Sequence, residues 1–134
     1  DSIKRVLAGA TPQEADDLLA LVLAGTKTAT AGALDDYDAE GEPLPTAGTL
    51  SIVLDGAGNP RALIETTQVD IVPFDQLGPE HAFLEGEDDR SLESWRRIHE
   101  RFFTEHADHD LGFRPDMPIV LERFRVIYPT PANA

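Results

Sequence analysis

The sequence predicts an α+β fold in which helices flank a small antiparallel or mixed β-barrel. Three observations predict it: two segments with helical periodicity, several β-branched runs separated by turn residues, and enough apolar residues for one core. The chain has 134 residues, of which 41% are hydrophobic. We therefore expect residues 1–134 to form a single domain.

Residues 11–24 carry the clearest helical pattern. Thr11 is a residue type that caps helix N-termini, Pro12 follows at the first helical position, and Gly25 is typical of a helix end. A second helix is predicted over residues 91–106, with Ser91 as its N-cap. One face of this helix is expected to carry its apolar positions, which are Leu92, Trp95, Ile98 or His99, and Phe102.

Strand character is concentrated in the middle of the chain. Residues 49–54 and 61–71 are β-branched runs, and the turn residues at 55–60 predict a hairpin between them. Residues 26–31 are also β-prone. These patterns predict at least three strands between the two helices.

The chain ends in a further predicted strand at residues 119–128. Alternation along it places one set of side chains on the same face: Val120, Glu122, Phe124, Val126 and Tyr128. The density of acidic residues, glycine and proline at 35–45 predicts an exposed loop, and residues 73–87 are predicted to be irregular or short-helical.

Charge limits the function more than any other bulk property. The chain has 25 Asp and Glu against 11 Lys and Arg, a net charge of -14. Such a chain repels phosphate groups, which argues against non-specific binding to duplex DNA or to an anionic membrane. Cysteine is absent, which excludes disulfides, zinc-thiolate sites and cysteine nucleophiles. No apolar stretch is long enough for a membrane span, and a soluble, cytoplasmic protein is expected.

Lys27 stands just after the first helix, at the start of a threonine-rich segment. Desolvation beside Thr28 and Thr30 would favour a neutral amine, which is able to take a proton from a threonine hydroxyl. The alternative is structural, because a lysine near a helix C-terminus complements the helix dipole and threonine is a common strand residue. The spacing alone favours the structural alternative.

A dense acidic run precedes the second helix and consists of Glu85, Glu87, Asp88 and Asp89. Grouped carboxylates can orient a catalytic lysine, act as general acid or base, or bind a divalent cation. The alternative is a solvated loop in which Asp89 favours the positive end of the following helix. No calcium-loop pattern is present, so no cofactor is expected, and a divalent metal ion stays open as an alternative.

The four histidines are His81, His99, His106 and His109. No HExxH or CxxC context accompanies them, so they are predicted to be structural or surface residues and not zinc ligands. The chain also lacks a Walker loop and a GxGxxG loop, which disfavours nucleoside triphosphates and dinucleotide cofactors.

Positive charge is concentrated on or just before the second helix, at Arg90, Arg96, Arg97 and Arg101. Such a group can bind a phosphate or a carboxylate. Both Arg96 and Arg97 have a glutamate four residues away, which favours a solvated face of internal ion pairs. Trp95 is at a spacing more typical of a core residue than of a surface on which bases stack.

Four segments together resemble the ASCH domain family, in its longer bacterial branch. They are residues 23–30 (LAGTKTAT), 52–65, 81–103 (HAFLEGEDDRSLESWRRIHERFF) and 122–126 (ERFRV). The resemblance extends from about residue 14 to residue 128. It implies a PUA-like fold, which is a small β-barrel with flanking helices whose relatives are tied to RNA.

The resemblance also implies a site. Members similar in the GxKxT segment include an amidohydrolase of acylated cytidine and a metal-dependent ribonuclease. In the amidohydrolase pattern Thr30 corresponds to the nucleophile, Lys27 to its activating base, and Glu85 to the residue that holds Lys27. The chain departs from that pattern in residues 25–32 (GTKTATAG), where the shorter amidohydrolases typically continue with an arginine and an aspartate.

The expected function is therefore a hydrolase that acts on RNA or on a modified nucleoside through a cleft with Lys27, Thr30 and Glu85. Further ligand contacts are expected from four residues: Thr28, Glu87, Arg90 and Trp95. The expected partner is a modified nucleoside or a short single-stranded RNA, with neither duplex DNA nor a membrane.

Two alternatives stay open. One is a metal-dependent ribonuclease on single-stranded RNA that uses Glu85, Glu87 and Asp89 as metal ligands. The other is a non-catalytic module that binds RNA or a nucleotide, in which Lys27 would pair with a phosphate.

Overall fold

The structure, a computed structural model, describes residues 4–6, 11–107 and 110–129. Within these residues the chain forms five strands, four α-helices and a short 3-10 helix. In chain order they are β1 (Lys4–Val6), α1 (Pro12–Leu23), β2 (Ala29–Ala33), α2 (Leu34–Glu40), β3 (Leu50–Leu54), β4 (Pro60–Pro73), the 3-10 helix (Phe74–Gln76), α3 (Pro79–Glu85), α4 (Leu92–Glu105) and β5 (Pro118–Tyr128).

The strands form one sheet in the order β1-β3-β4-β5-β2. β1 pairs with β3 in parallel, and the other neighbouring strands are antiparallel. Although β1 and β2 lie at opposite edges, Val6 of β1 and Thr30 of β2 line the same cavity. The sheet is therefore curled into a half-barrel, and the predicted α+β fold class is confirmed.

Both predicted helices are confirmed, together with their caps. The Thr11 hydroxyl accepts a hydrogen bond from the Glu14 amide at 3.1 Å, and Gly25 follows the end of α1 with φ of 79°. At the start of α4 the Ser91 hydroxyl accepts a hydrogen bond from the Ser94 amide at 3.1 Å. These caps satisfy backbone groups that the first turn of a helix leaves without a partner.

The buried face of α4 differs from the prediction near the end of the helix. Trp95, His99 and Phe103 are buried, whereas Phe102 is 37% exposed. The ring of Phe103 packs edge-on against Phe74, with 6.3 Å between the ring centroids. Both phenylalanines are compatible with helical spacing, and it is this packing that selects Phe103 for the core.

The predicted loop at residues 35–45 is wrong in its first half, which is the helix α2. This helix is followed by Gly41, whose φ of 66° is in the left-handed region. Asp35 and Asp36 lie in its first turn, where negative charge is favourable, and Asp35 also binds Arg114 at 2.8 Å. The acidic residues that suggested a loop thus form the first turn of a short helix. The ion pair between Asp35 and Arg114 attaches this helix to the rest of the domain.

Strands β3, β4 and β5 form where the sequence predicts them, and residues 55–59 connect β3 to β4 as a hairpin. β2 begins later than predicted, at Ala29. Lys27 and Thr28 therefore precede the strand, whereas Thr30 lies within it. This boundary decides where the candidate site residues point.

Two hydrophobic clusters hold the sheet against the helices. The cluster next to α3 and α4 consists of Ala33, Phe74, Leu77, Ala82, Trp95, Phe103, Met117, Ile119 and Leu121. The cluster beneath α1 consists of Leu19, Val22, Val53, Ala62, Ile64 and Phe124. None of the helices in the described residues is long and apolar enough to cross a membrane.

Candidate functional site

Glu85, the last residue of α3, is the centre of a buried polar cluster, and its side chain is only 1% exposed. Its Oε2 accepts a hydrogen bond from Trp95 Nε1 at 2.7 Å and lies 2.8 Å from His81 Nε2. Its Oε1 lies 3.4 Å from Lys27 Nζ and 3.6 Å from His99 Nε2. Four side chains from three separate segments therefore converge on one carboxylate.

The hydrogen-bond partners of the two buried histidines show which ring nitrogen of each carries a proton. Because an ionised carboxylate only accepts, His81 donates to Glu85 from Nε2. A backbone carbonyl also only accepts, so His99 donates from Nδ1 to the Trp95 carbonyl oxygen at 2.9 Å. Both histidines are thus buried and held by hydrogen bonds. His106 is 47% exposed, and His109 lies outside the described residues.

The cluster keeps Glu85 ionised. Burial alone raises the pKa of this carboxyl, but the charge of Lys27, the hydrogen bond from His81 and the nearby His99 ring lower it by more. The pKa of Glu85 therefore lies well below its ordinary value. A buried negative charge with this many partners is a rigid centre around which the neighbouring segments are arranged.

Lys27 is buried as well, with 5% of its side chain exposed. Its Nζ donates to Glu87 Oε2 at 2.9 Å and lies 3.4 Å from both Oε1 and the carbonyl oxygen of Glu85. The contact between Lys27 and Glu85 that the family resemblance implies is thus present. The bend before β2 allows it, since Lys27 is outside the strand ladder.

Gly86 makes this approach possible. It follows α3 with φ of 73°, a left-handed conformation that other residues rarely adopt. A Cβ at this position would lie 2.6 Å from the Thr26 carbonyl oxygen and 3.1 Å from the Lys27 amide nitrogen. The Thr28 amide also donates to the Leu84 carbonyl at 2.8 Å. The end of α3 therefore lies directly against the backbone that leads into β2.

The same cluster contains donors of the type that bind a divalent cation. Glu85, Glu87 and His99 each offer one ligand atom, and these atoms all lie within 4.8 Å of one another. The donor types fit a transition-metal ion. The Lys27 ammonium, however, contacts both carboxylates, so an ion in this position would have to displace it.

The third residue of the predicted acidic ligand set lies apart from this group. The Asp89 carboxylate accepts a hydrogen bond from the Ser91 amide at 2.9 Å. Hydrogen bonds from Ser91, first from its side chain and then from its backbone, lower the pKa of Asp89 to about 2. Asp89 thus lies at the positive end of α4, which was its structural alternative. It is not part of the group that Glu85 and Glu87 form with His99.

Two of the expected ligand contacts have structural partners. Arg90 donates to the carbonyl oxygens of Phe83 at 3.0 Å and Thr26 at 3.3 Å, and its guanidinium covers the Phe83 ring at 3.6 Å. Trp95 is 4% exposed, and the His99 ring is stacked on it with 4.1 Å between centroids. Trp95 is therefore a core residue, and no face of its ring is open for a base.

Thr30 lies on the wall of a separate cavity of about 680 Å³ inside the half-barrel. The lining includes neither Lys27 nor Glu85, and within the described residues Thr30 forms no hydrogen bond to either. Its cross-strand partner in the β2–β5 ladder is Glu122, which lines the same cavity. The structure thus brings Lys27 and Glu85 together and places Thr30 beside Glu122.

The charged residues of the described cavity lining are both acidic, Glu42 and Glu122. The described lining contains no lysine, arginine or histidine and consists of Val6, Thr30, Ala31, Gly32, Tyr37, Glu42, Pro43, Leu44, Pro45, Thr49, Ser51, Val120 and Glu122. Burial, followed by the charges of Glu122, Glu40 and Glu42, raises the pKa of Tyr37 to about 12. The cavity therefore favours neutral or positively charged ligands that donate hydrogen bonds.

Sequence reasoning did not single out Glu122 and Tyr37 as site residues. A signal for Glu122 was present, because a glutamate occupies one position of the alternating face of β5 between Val120 and Phe124. Tyr37 carried no comparable signal, since it lies in the segment predicted as an exposed loop.

The curled sheet and its flanking helices form a PUA-like fold. A sequence model of the ASCH domain family matches residues 4–128. The chain belongs to the ASCH domain family, whose members are generally associated with RNA.

Two solved structures are similar to the chain over nearly its full length. An ASCH domain from Lactobacillus crispatus JV V101 shares 33% identity with a TM-score of 0.87, covering 93% of this chain and 79% of that one. Protein EF3133 from Enterococcus faecalis V583 shares 38% identity with a TM-score of 0.84, covering 94% of this chain and 76% of that one. No curated protein matches the chain.

Proposed function

We propose that this protein is a hydrolase that acts on a modified nucleoside of the acylated-cytidine type, bound in the half-barrel cavity, and that activity requires Lys27, Thr30 and Glu85. The observation that supports the proposal most directly is the position of the Thr30 hydroxyl. It lies on the wall of a cavity of about 680 Å³ and forms no hydrogen bond to other described residues. A hydroxyl in this position is accessible to a bound carbonyl group.

The size and charge of the cavity favour a nucleoside over a nucleotide. Ligand sites typically have volumes of about 300 to 1,000 Å³, and the observed volume is within this range. Glu42 and Glu122 would repel a phosphate, and the described lining has no cation to offset them. A base with an exocyclic nitrogen offers the hydrogen-bond donors that these carboxylates accept.

In this proposal Thr30 Oγ1 attacks the acyl carbonyl carbon, forms an acyl ester and releases the free amine. Water then hydrolyses the ester. Lys27 and Glu85 act from behind the strand: their ion pair anchors the bend at residues 26–28, which sets the start of β2 and the position of Thr30. The resemblance assigns the activation of Thr30 to Lys27, which requires Nζ to approach Thr30 Oγ1 to about 3 Å.

A metal-dependent ribonuclease is the second candidate, because of the group formed by Glu85, Glu87 and His99. The ion pair of Lys27 with both carboxylates counts against it. Non-catalytic binding of a nucleoside or a short single-stranded RNA is the third candidate, and the same experiment separates all three.

The test incubates the protein with N4-acylated cytidine and, separately, with single-stranded RNA, each with Mn²⁺ or with EDTA. We expect release of cytidine that EDTA does not affect. Thr30→Ala should lower this rate by more than about 100-fold, because the covalent route is lost. Thr104→Ala is the matched control, because this threonine is exposed on α4.

The other results would each contradict the proposal. Nucleoside turnover that survives Thr30→Ala excludes the threonine nucleophile. RNA cleavage that requires Mn²⁺, without nucleoside turnover, favours the ribonuclease. Saturable binding of the nucleoside without turnover favours the binding module.

A further inference from the structure

We infer that Glu122 is the general base that takes the proton of Thr30. This inference rests on the proposed function, since it assigns a catalytic group to the same cavity. Glu122 is outside the set of Lys27, Thr30 and Glu85. Three observations support its role: the strand register, the cavity lining and a part-buried hydrogen bond from Thr66.

The register of β2 and β5 brings the two side chains together. Thr30 is paired with Glu122 in the antiparallel ladder, and both residues line the half-barrel cavity. Residues directly opposite each other in antiparallel strands have Cβ atoms about 4.5 to 5.5 Å apart on the same face. This separation lets a glutamate carboxylate reach a neighbouring threonine hydroxyl.

A hydrogen bond from Thr66 fixes the Glu122 carboxylate. Thr66 Oγ1 donates to Glu122 Oε2 at 2.5 Å, and Thr66 is 1% exposed in the adjacent strand β4. Since one oxygen is held by a buried donor, the side chain loses rotational freedom before a ligand binds. Thr66 is thus a positioning residue for the carboxylate.

The alternative base, Lys27, is engaged elsewhere. Its Nζ donates to Glu87 at 2.9 Å and contacts Glu85, and Lys27 is not among the residues that line the cavity. A lysine can accept a proton only as the neutral amine, whereas a carboxylate accepts one directly. Among the carboxylates of the cavity, Glu122 is the one opposite Thr30, because Glu42 lies in the segment that follows α2.

The proposed step balances without a cofactor. Thr30 Oγ1 forms a bond to the acyl carbon while its proton moves to Glu122. The C–N bond then breaks, the electron pair stays on nitrogen, and Glu122 returns the proton to the leaving amine. In the second half Glu122 takes a proton from water, which attacks the ester. Glu122 then protonates Thr30, and the products are the free amine and a carboxylic acid.

The experiment compares Glu122→Gln with Glu65→Gln, which changes a glutamate of β4 that pairs with Arg125 and does not line the cavity. We expect Glu122→Gln to lower kcat for acylated cytidine by about 10²- to 10⁴-fold, because that is the usual contribution of a general base. The KM should change little. Glu65→Gln should retain wild-type kcat. Far-UV circular dichroism checks that both variants are folded.

A second readout does not depend on the nucleoside. The protein is treated with p-nitrophenyl acetate, and acetylation of Thr30 is followed by mass spectrometry across pH. The wild-type rate should fall at acidic pH as the base becomes protonated, and Glu122→Gln should lack this dependence. Thr66→Val should slow acetylation, and Thr66→Ser, which keeps the hydroxyl, should restore the rate.

The outcomes separate the inference from the proposed function. Acetylation of Thr30 without turnover of acylated cytidine would contradict the proposed substrate. In that case slow acetylation in Glu122→Gln would still support Glu122 as the general base. Wild-type rates in Glu122→Gln would overturn the inference, as would a pH dependence that Lys27→Met abolishes and Glu122→Gln retains. If Thr30 is neither acetylated nor active on the nucleoside, both are overturned.

Discussion

Lys27 and Glu85 are 58 residues apart in the sequence and form an ion pair in which both side chains are almost fully buried. The pair joins the bend before β2 to the end of α3. A buried ion pair has to compensate the cost of removing two charges from water, which it does here through additional hydrogen bonds to both groups. We therefore expect both the stability of the fold and the proposed position of Thr30 to depend on this ion pair.

Removal of either charge alone should destabilise the fold strongly. We expect Lys27→Met or Glu85→Gln to lower the free energy of unfolding by about 3 to 5 kcal/mol, because the remaining charge is left buried without its partner. Urea denaturation measures this. Glu87→Gln is the control. Because the Glu87 side chain is 23% exposed, this substitution should lower the free energy of unfolding by less.

The double variant tests whether the two charges are coupled. Lys27→Met with Glu85→Gln should cost less than the sum of the single variants, because no unpaired charge remains. Strictly additive effects would show that the pair contributes no interaction energy.

The pH dependence of stability should contain a contribution from Glu85. Its pKa is well below the ordinary value in the folded protein, against about 4.3 in an unfolded chain. Between these two values the unfolded chain binds a proton that the folded protein does not, so the free energy of unfolding falls as the pH is lowered. This contribution is fully present above the unfolded pKa and is lost as the pH falls through the folded one.

A comparison of wild type with Glu85→Gln isolates this contribution. Below about pH 4.3 the wild-type free energy of unfolding should fall more steeply, by about 1.4 kcal/mol per pH unit. Denaturation series from pH 3 to pH 7 measure both slopes. Equal slopes would mean that Glu85 titrates at its unfolded value.

The sequence predicts the elements of this fold better than their relative positions. Local signals such as Thr11, Ser91 and Gly25 identify the two long helices, because capping depends on residues close in the chain. The half-barrel requires the register of β2 against β5, which no local pattern specifies. Thr30 beside Glu122 is therefore a result of tertiary structure.

For the candidate site, too, the sequence predicts some features, whereas the remaining contacts depend on tertiary structure. The family resemblance implied that Glu85 holds Lys27, and the structure contains that contact. His81 is four residues from Glu85 on the same helix, a spacing that brings side chains together. Nothing in the sequence connects Trp95 with this carboxylate, because Trp95 comes from α4 and meets Glu85 only in the packed core. The cavity lining was missed in part because Tyr37 lies in a segment whose acidic composition suggested a loop.

Gly86 should be among the least tolerant glycines of the chain. A side chain there would have to adopt a φ of 73° and would place its Cβ 2.6 Å from the Thr26 carbonyl oxygen. Gly58 has a similar φ of 86°, but nothing lies within 4 Å of a Cβ at that position. Gly58→Ala thus measures the backbone strain alone, which costs about 1 to 2 kcal/mol.

We expect Gly86→Ala to lower the free energy of unfolding by at least about 2 kcal/mol more than Gly58→Ala, because the backbone of residues 26 and 27 has to move. Thermal and urea denaturation of the two variants measure the difference. Equal losses would show that α3 can shift away from residue 26 without cost.

The pKa of Tyr37 depends on the negative charge inside the cavity. Burial and the carboxylates of Glu122, Glu40 and Glu42 raise its pKa to about 12, against 10 for an ordinary tyrosine. The chain has two tyrosines, so the absorbance titration of wild type minus that of Tyr37→Phe gives the ionisation of Tyr37 alone. The difference curve should have its midpoint near 12 while circular dichroism confirms that the protein is folded.

Glu122→Gln should move this midpoint downward, because one of the negative charges that oppose ionisation is removed. Glu65→Gln, outside the cavity, should leave it unchanged. Ionisation of Tyr37 also affects stability. Above about pH 10 this tyrosine loses its proton in the unfolded chain but keeps it in the folded protein, so the free energy of unfolding decreases as the pH rises. A Tyr37 midpoint near 10, insensitive to Glu122→Gln, would contradict the close association of Tyr37 with Glu122 in one acidic cavity.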